Sequence, residues 1–145
     1  MSKRILIAID GSDAAVEALR FAVEEWPSAS VTLLHVINPA ESTTGAEGGF
    51  PGAVEQWYDT ARSRGERILS EAAGAVDADV DTRLEVGRPT ATILSVAGGE
   101  ADDDDEPFDH VVLASRGRTG LSRVVLGSVA EGVVRRAQVP VTVVR

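Results

Sequence analysis

The sequence predicts an α/β domain, a parallel β-sheet covered by helices on both faces. Five short apolar runs alternate with four amphipathic stretches in a β-α-β-α-β-α-β-α-β rhythm. The 145 residues suit one compact domain covering 1–145. Apolar residues make up 43% of the chain, enough for a core that needs no metal or disulfide staple.

Arg4–Ile9, written Arg-Ile-Leu-Ile-Ala-Ile, reads as a buried strand and is too short for a membrane span. Val16, Leu19, Val23 and Trp26 then recur at helical spacing, so a helix is expected over Ser12–Trp26, with Ser12 as N-cap and Pro27 as its stop. Val31–Val36 is the second strand. Residues 38–52 are rich in Gly, Pro, Ser and Thr and are expected to form a long flexible loop. A second helix runs from about Val54 to Val76, because Val54, Tyr58, Ala61, Ile68, Leu69 and Ala72 share one face. Asp79–Val86 alternates Val80, Thr82, Leu84 and Val86, a strand with one more exposed face.

Pro89 opens a short third helix over Thr90–Ala97, which Gly98-Gly99 closes. The acidic run from Glu100 to Glu106 lacks the Gly turn and ligand alternation of a calcium loop and is expected to be a hydrated surface loop. Phe108–Ala114 is the fourth strand, Gly127–Ala137 the fourth helix and Val139–Val144 the fifth strand. Pro140 has no N–H to give a ladder, which places the last strand at an edge or turns its unbonded side outward.

The chain has no cysteine, which excludes a thiolate nucleophile, a zinc ribbon and a disulfide frame. No signal peptide opens it, so a cytoplasmic location and no membrane partner are expected. Net charge is −9, and Lys3 is the single lysine among 14 basic residues. Two readings fit: a GC-rich genome with a solvated acidic surface, or a halophilic protein in a salt-rich cytosol. Either way the charge argues against non-specific nucleic-acid binding.

In an open parallel sheet, ligands bind beyond the carboxyl ends of the strands, where strand order reverses. Asp10-Gly11-Ser12 follows the first strand. Ala114-Ser115-Arg116-Gly117-Arg118-Thr119-Gly120 follows the fourth, and Gly127-Ser128 opens the fourth helix. Gly117 lets backbone approach a ligand. The helix N-terminus at Gly127 and Ser128 favours phosphate, and Arg116 and Arg118 can offer planar forks to its oxygens. Residues 114–136 hold five arginines and one acid, a net +4 on a chain whose other 122 residues carry −13. A basic island on an acidic protein suits an anionic ligand; arginines paired with nearby carboxylates would look the same. Asp10 could accept from ribose hydroxyls, hold a hydrated metal ion, or cap the next helix, a job for which Ser12 competes.

His35 and His110 have no serine or cysteine at an interpretable spacing and read as structural. Trp26 and Trp57 lie on apolar helical faces, where core or partial burial is the default. Neither a Gly-Lys-Ser/Thr phosphate loop nor Gly-x-Gly-x-x-Gly occurs. No catalytic residue and no metal ligand set is assigned.

From end to end the chain resembles the universal stress proteins. Arg4-Ile-Leu-Ile-Ala-Ile-Asp10-Gly-Ser12 matches the family's first strand and turn, and Leu33-Leu34-His35-Val36 its second strand. The most specific match is Ser115-Arg-Gly-Arg-Thr-Gly-Leu121, continuing through Leu126-Gly-Ser-Val-Ala-Glu131 to Val139-Pro-Val-Thr-Val143. The ATP-binding branch of the family carries Gly-x2-Gly-x9-Gly-Ser/Thr. This chain keeps the spacing as Ala114-x2-Gly117-x9-Gly127-Ser128, with Ala114 in place of the first glycine. If the backbone there needs positive φ, alanine costs about 1 kcal/mol; if it needs close approach, a methyl narrows the pocket.

The resemblance implies a doubly wound three-layer α/β/α sandwich with sheet order 3-2-1-4-5. It implies ATP as ligand, with or without Mg2+, and a non-catalytic role in stress response. Ala8, Ile9 and Asp10 would contact the nucleoside, with Asp10 on the ribose. Val36 would meet adenine through its backbone, Leu113, Ala114 and Gly117 would line the path to the phosphates, and Gly127, Ser128 and Val129 would cradle them. A homodimer joined through Val139–Val144 is implied too, which suits an apolar edge that needs cover. A slow ATPase, with Arg118 as charge donor but no evident base, and a nucleotide-free dimeric interaction protein are the alternatives. A phosphorylation receiver is set aside, since Asp10 has no acidic cluster and Lys3 is the only lysine.

Overall fold

The computed structural model describes residues 2–42, 51–115 and 126–145. Among them five parallel strands form one sheet in the order β3-β2-β1-β4-β5. The strands are β1 (Arg4–Ala8), β2 (Ser30–Ile37), β3 (Val80–Val86), β4 (His110–Ala114) and β5 (Val141–Val144). The helices are α1 (Asp13–Glu25), α2 (Ala53–Gly74), α3 (Pro89–Ala97) and α4 (Ser128–Arg136). Pro39–Ser42, inside the expected loop, makes a single 3-10 turn, and residues 43–50 lie outside the described set.

Ile5, Ile7, Leu33 and Val112 face one side and bury with Ala15, Leu19, Leu69 and Ala72 of α1 and α2. Leu6, Leu34, Val111 and Leu113 face the other and bury with Ile93, Val96, Ala130 and Val133 of α3 and α4. β1, β2 and β4 therefore serve two cores, which is why their residues are apolar in succession rather than in alternation. Val80–Val86 alternates because β3 is a sheet edge. β5 is the other edge, with Ala114 opposite Val144, and Pro140 lies just outside the ladder, accepting from Val111 N–H through its carbonyl at 3.0 Å.

Order reverses between β1 and β4, which pair in parallel from Ile5–His110 to Ile7–Val112. The acidic run between α3 and β4 is largely exposed, as expected, and Arg83 anchors part of it. The Arg83 guanidinium of β3 donates to both carboxylate oxygens of Asp105, at 2.9 and 3.1 Å, and to Asp102 and Glu85 at 3.2 and 2.7 Å. That fork holds the Asp105 carboxyl below its usual range.

Candidate functional site

The turn after β1 is built by three consecutive residues. Asp10 Oδ1 accepts from Ser12 N–H at 2.9 Å and from Ser12 Oγ at 2.5 Å. Gly11 between them has φ +89°, a left-handed conformation that suits glycine. Ser12 Oγ in turn accepts from Ala15 N–H at 3.2 Å and caps α1. Asp10 thus fixes the turn through one oxygen. Among the described residues its other oxygen, Oδ2, has no hydrogen-bond partner.

α4 begins differently. Gly127 is its N-cap, with extended backbone and no side chain to offer. Its N–H donates to the Ser115 carbonyl at 2.7 Å, tying the helix start to the end of β4. The first intrahelical bond runs from Glu131 N–H to the Gly127 carbonyl, so the N–H groups of the first turn point out of the helix without a side-chain cap. The helix dipole puts partial positive charge there.

These two ends meet in a cavity of about 490 Å³ across the carboxyl edge of the sheet. Ala8 lines it from β1, Ile9 and Asp10 from the turn after it, Val36 from β2, Leu113 and Ala114 from β4, and Gly127, Ser128 and Val129 from the start of α4. All nine are residues singled out in the sequence. Arg116, Gly117 and Arg118 lie outside the described residues. Ala114 stands in strand conformation opposite Val144, and no residue other than glycine has positive φ among those described. The alanine therefore carries no backbone strain, and the residue is simply part of the wall.

His35 also lines the cavity, but its Nδ1 lies 2.7 Å from the Ile9 carbonyl, a tie between β2 and the turn after β1. His110 is remote, at the start of β4, with Nε2 2.6 Å from Thr142 Oγ1. Sequence reading missed the wall contributed by α2, namely Trp57, Thr60, Ala61 and Arg64. Their 3-and-4 spacing was visible but reads as an ordinary core stripe. Among the described residues, no three His, Cys, Asp or Glu side chains converge as a metal site, and no helix is long and apolar enough to cross a membrane.

The family model for the universal stress proteins matches residues 1–145. The chain is 32% identical to universal stress protein YxiE of Bacillus subtilis, covering 100% of both chains. It is 30% identical to universal stress protein MJ0577 of Methanocaldococcus jannaschii, covering 100% of this chain and 96% of that one. The solved structure of MJ0577 superposes with a TM-score of 0.72 over 99% of this chain and 96% of its own. A universal stress protein family protein from Arabidopsis thaliana, solved with AMP bound, shares the fold at 16% identity and a TM-score of 0.64, covering 98% of this chain and 90% of its own.

Proposed function

The chain belongs to the universal stress protein family, and on that footing we propose that it binds ATP in the cavity at the carboxyl edge of the sheet, as a non-catalytic regulatory module. One observation carries the reading: the uncapped N-terminus of α4 and the Asp10 carboxylate open onto the same cavity. An anion belongs at the first, and a hydroxyl donor at Oδ2 of the second. A volume near 490 Å³ lies within the range of about 300–1,000 Å³ usual for small-molecule sites. The triphosphate would lie on Gly127, Ser128 and Val129, with Arg116, Gly117 and Arg118 supplied by the preceding segment. The ribose would bond Asp10, and adenine would lie by Ala8, Ile9, Val36, Leu113 and Ala114. AMP in the distant Arabidopsis structure is in keeping with this choice of ligand.

Magnesium, where it accompanies ATP, would be carried mainly by phosphate oxygens and water, as this ion commonly is. The described lining favours binding over turnover: Asp10 Oδ1 is committed to Ser12 and His35 Nδ1 to the Ile9 carbonyl. Asp10 Oδ2 and His35 Nε2 remain, and this reading gives Oδ2 to the ribose, at the far end of the nucleotide from its terminal phosphate. In this reading the protein is cytoplasmic and works in a salt-rich medium, and β5 at the sheet edge pairs with β5 of a second copy.

The test is to purify the protein in high-potassium buffer, denature it, and identify released nucleotide by chromatography and mass spectrometry. ATP or ADP near one per chain is expected, and Ser128→Ala or Gly127→Val should lower that occupancy. No released nucleotide, together with no heat on titrating ATP and magnesium, would leave a nucleotide-free interaction module instead.

A further inference from the structure

Helix α2 is longer than the strands it covers. Its 22 residues make about 33 Å of helix, against about 26 Å for the eight residues of β2. The register between them is fixed at Gly65. A Cβ there would lie 2.7 Å from Leu84 Cδ1 and 2.9 Å from His35 Cδ2, so the helix backbone rests directly on a paired position of β2 and β3. From Gly65 back to Ala53 is about 18 Å of helix. From His35 to the end of β2 at Ile37 is about 7 Å of strand. Roughly two helical turns therefore project beyond the carboxyl edge of the sheet.

The same helix face does two jobs along its length. Below Gly65, Leu69 and Ala72 are buried against the sheet. Above it, Trp57, Thr60, Ala61 and Arg64 face the cavity. Trp57 carries the largest apolar surface on that overhang. It is half-buried, held edge-on by Tyr58 at 6.2 Å between ring centres, and has no strand beneath it. A large ring left on a cavity wall is a surface for another flat ring.

We propose that Trp57 is the stacking platform for the base of the ligand and so a specificity-determining residue, selecting nucleotides over base-free phosphates. This rests on the ATP reading above. Stacking tolerates any base, because every base has a π face. Trp57 therefore demands that a base be present, and the polar groups at the strand ends discriminate which one.

Titration calorimetry of ATP and of sodium tripolyphosphate into wild type, Trp57→Phe and Trp57→Leu tests this. Leucine keeps apolar bulk on the helix, and phenylalanine keeps an aromatic face. The expected result is a loss of roughly tenfold in ATP affinity for Trp57→Leu, a change within about threefold for Trp57→Phe, and unchanged tripolyphosphate binding in both. ATP affinity equal in all three proteins would overturn the platform and leave the ATP site standing. ATP and tripolyphosphate weakening together would also overturn it, since the residue would then only shape the wall. Wild type that does not bind ATP overturns both readings.

Discussion

Gly132 of α4 packs so closely on Thr90 of α3 that a Cβ on the glycine would lie 2.7 Å from Thr90 Cγ2 and 3.1 Å from its Oγ1. The contact sits one turn below Ser128 and one residue after Pro89, both of which line the cavity. It sets how near the start of α4 stands to the start of α3.

Gly132→Ala should be destabilising, although alanine is the better helix former by about 1 kcal/mol. A methyl cannot fit at the present separation, and overpacking of this kind costs about 1–3 kcal/mol. The threonine is β-branched and cannot swing far. Thermal or urea unfolding should therefore show a net loss, with weaker ATP binding as α4 is pushed outward. In a Thr90→Ala background the same substitution should be neutral or stabilising. A loss of equal size in both backgrounds would place its cause elsewhere.

The sheet was legible because each strand is a short apolar run bounded by turn residues, and Ser12, Pro89 and the Gly98 pair mark helix ends without tertiary help. Sheet order came from the family resemblance, since spacing alone does not say on which side of β1 the fourth strand lies. The Arg83 cluster was hidden: its carboxylates are two, 19 and 22 positions away, and only the fold brings them together. Trp57 was hidden for the opposite reason. Its spacing is that of a core stripe, and only the difference in length between α2 and β2 reveals that its part of the stripe has no sheet to cover.

Ala114→Gly restores the residue found in the ATP-binding pattern, yet it should not relieve strain. Ala114 already has an ordinary strand backbone opposite Val144. Glycine there should lower stability by about 0.5–1 kcal/mol through the unfolded chain's greater freedom. Its only gain is the space of one methyl at the cavity wall. A melting temperature that rises on this substitution would show that the alanine is strained after all.

Asp10 and Ser12 can be separated. Ser12→Ala removes the cap on Ala15 N–H and should cost about 1 kcal/mol of stability, with little change in ATP affinity. Asp10→Asn keeps an oxygen for the turn but loses the charge offered to ribose hydroxyls, so ATP affinity should fall roughly tenfold with a smaller change in melting temperature. Calorimetry and thermal melts on both variants check the pair. Equal losses of affinity would mean that Asp10 acts only through the turn.

His110 should make the fold sensitive to mild acid. The residue is 9% exposed, its ring 4.9 Å from the Trp26 ring and bonded at Nε2 to Thr142. Burial disfavours its imidazolium, with Lys3 adding to the effect, so its pKa lies below the ordinary 6.5. As pH falls, the unfolded chain takes up this proton first. Between the two pKa values the unfolded state binds more protons, so stability rises with pH there. The contribution is complete above the unfolded value and is lost as pH falls toward the folded one. Melting temperature should therefore decline as pH falls below the ordinary histidine value, and His110→Gln should flatten that decline. Asp105, held low by Arg83, loses its contribution only in stronger acid and does not confuse the window. A decline of the same slope in wild type and variant would assign the acid sensitivity to other groups.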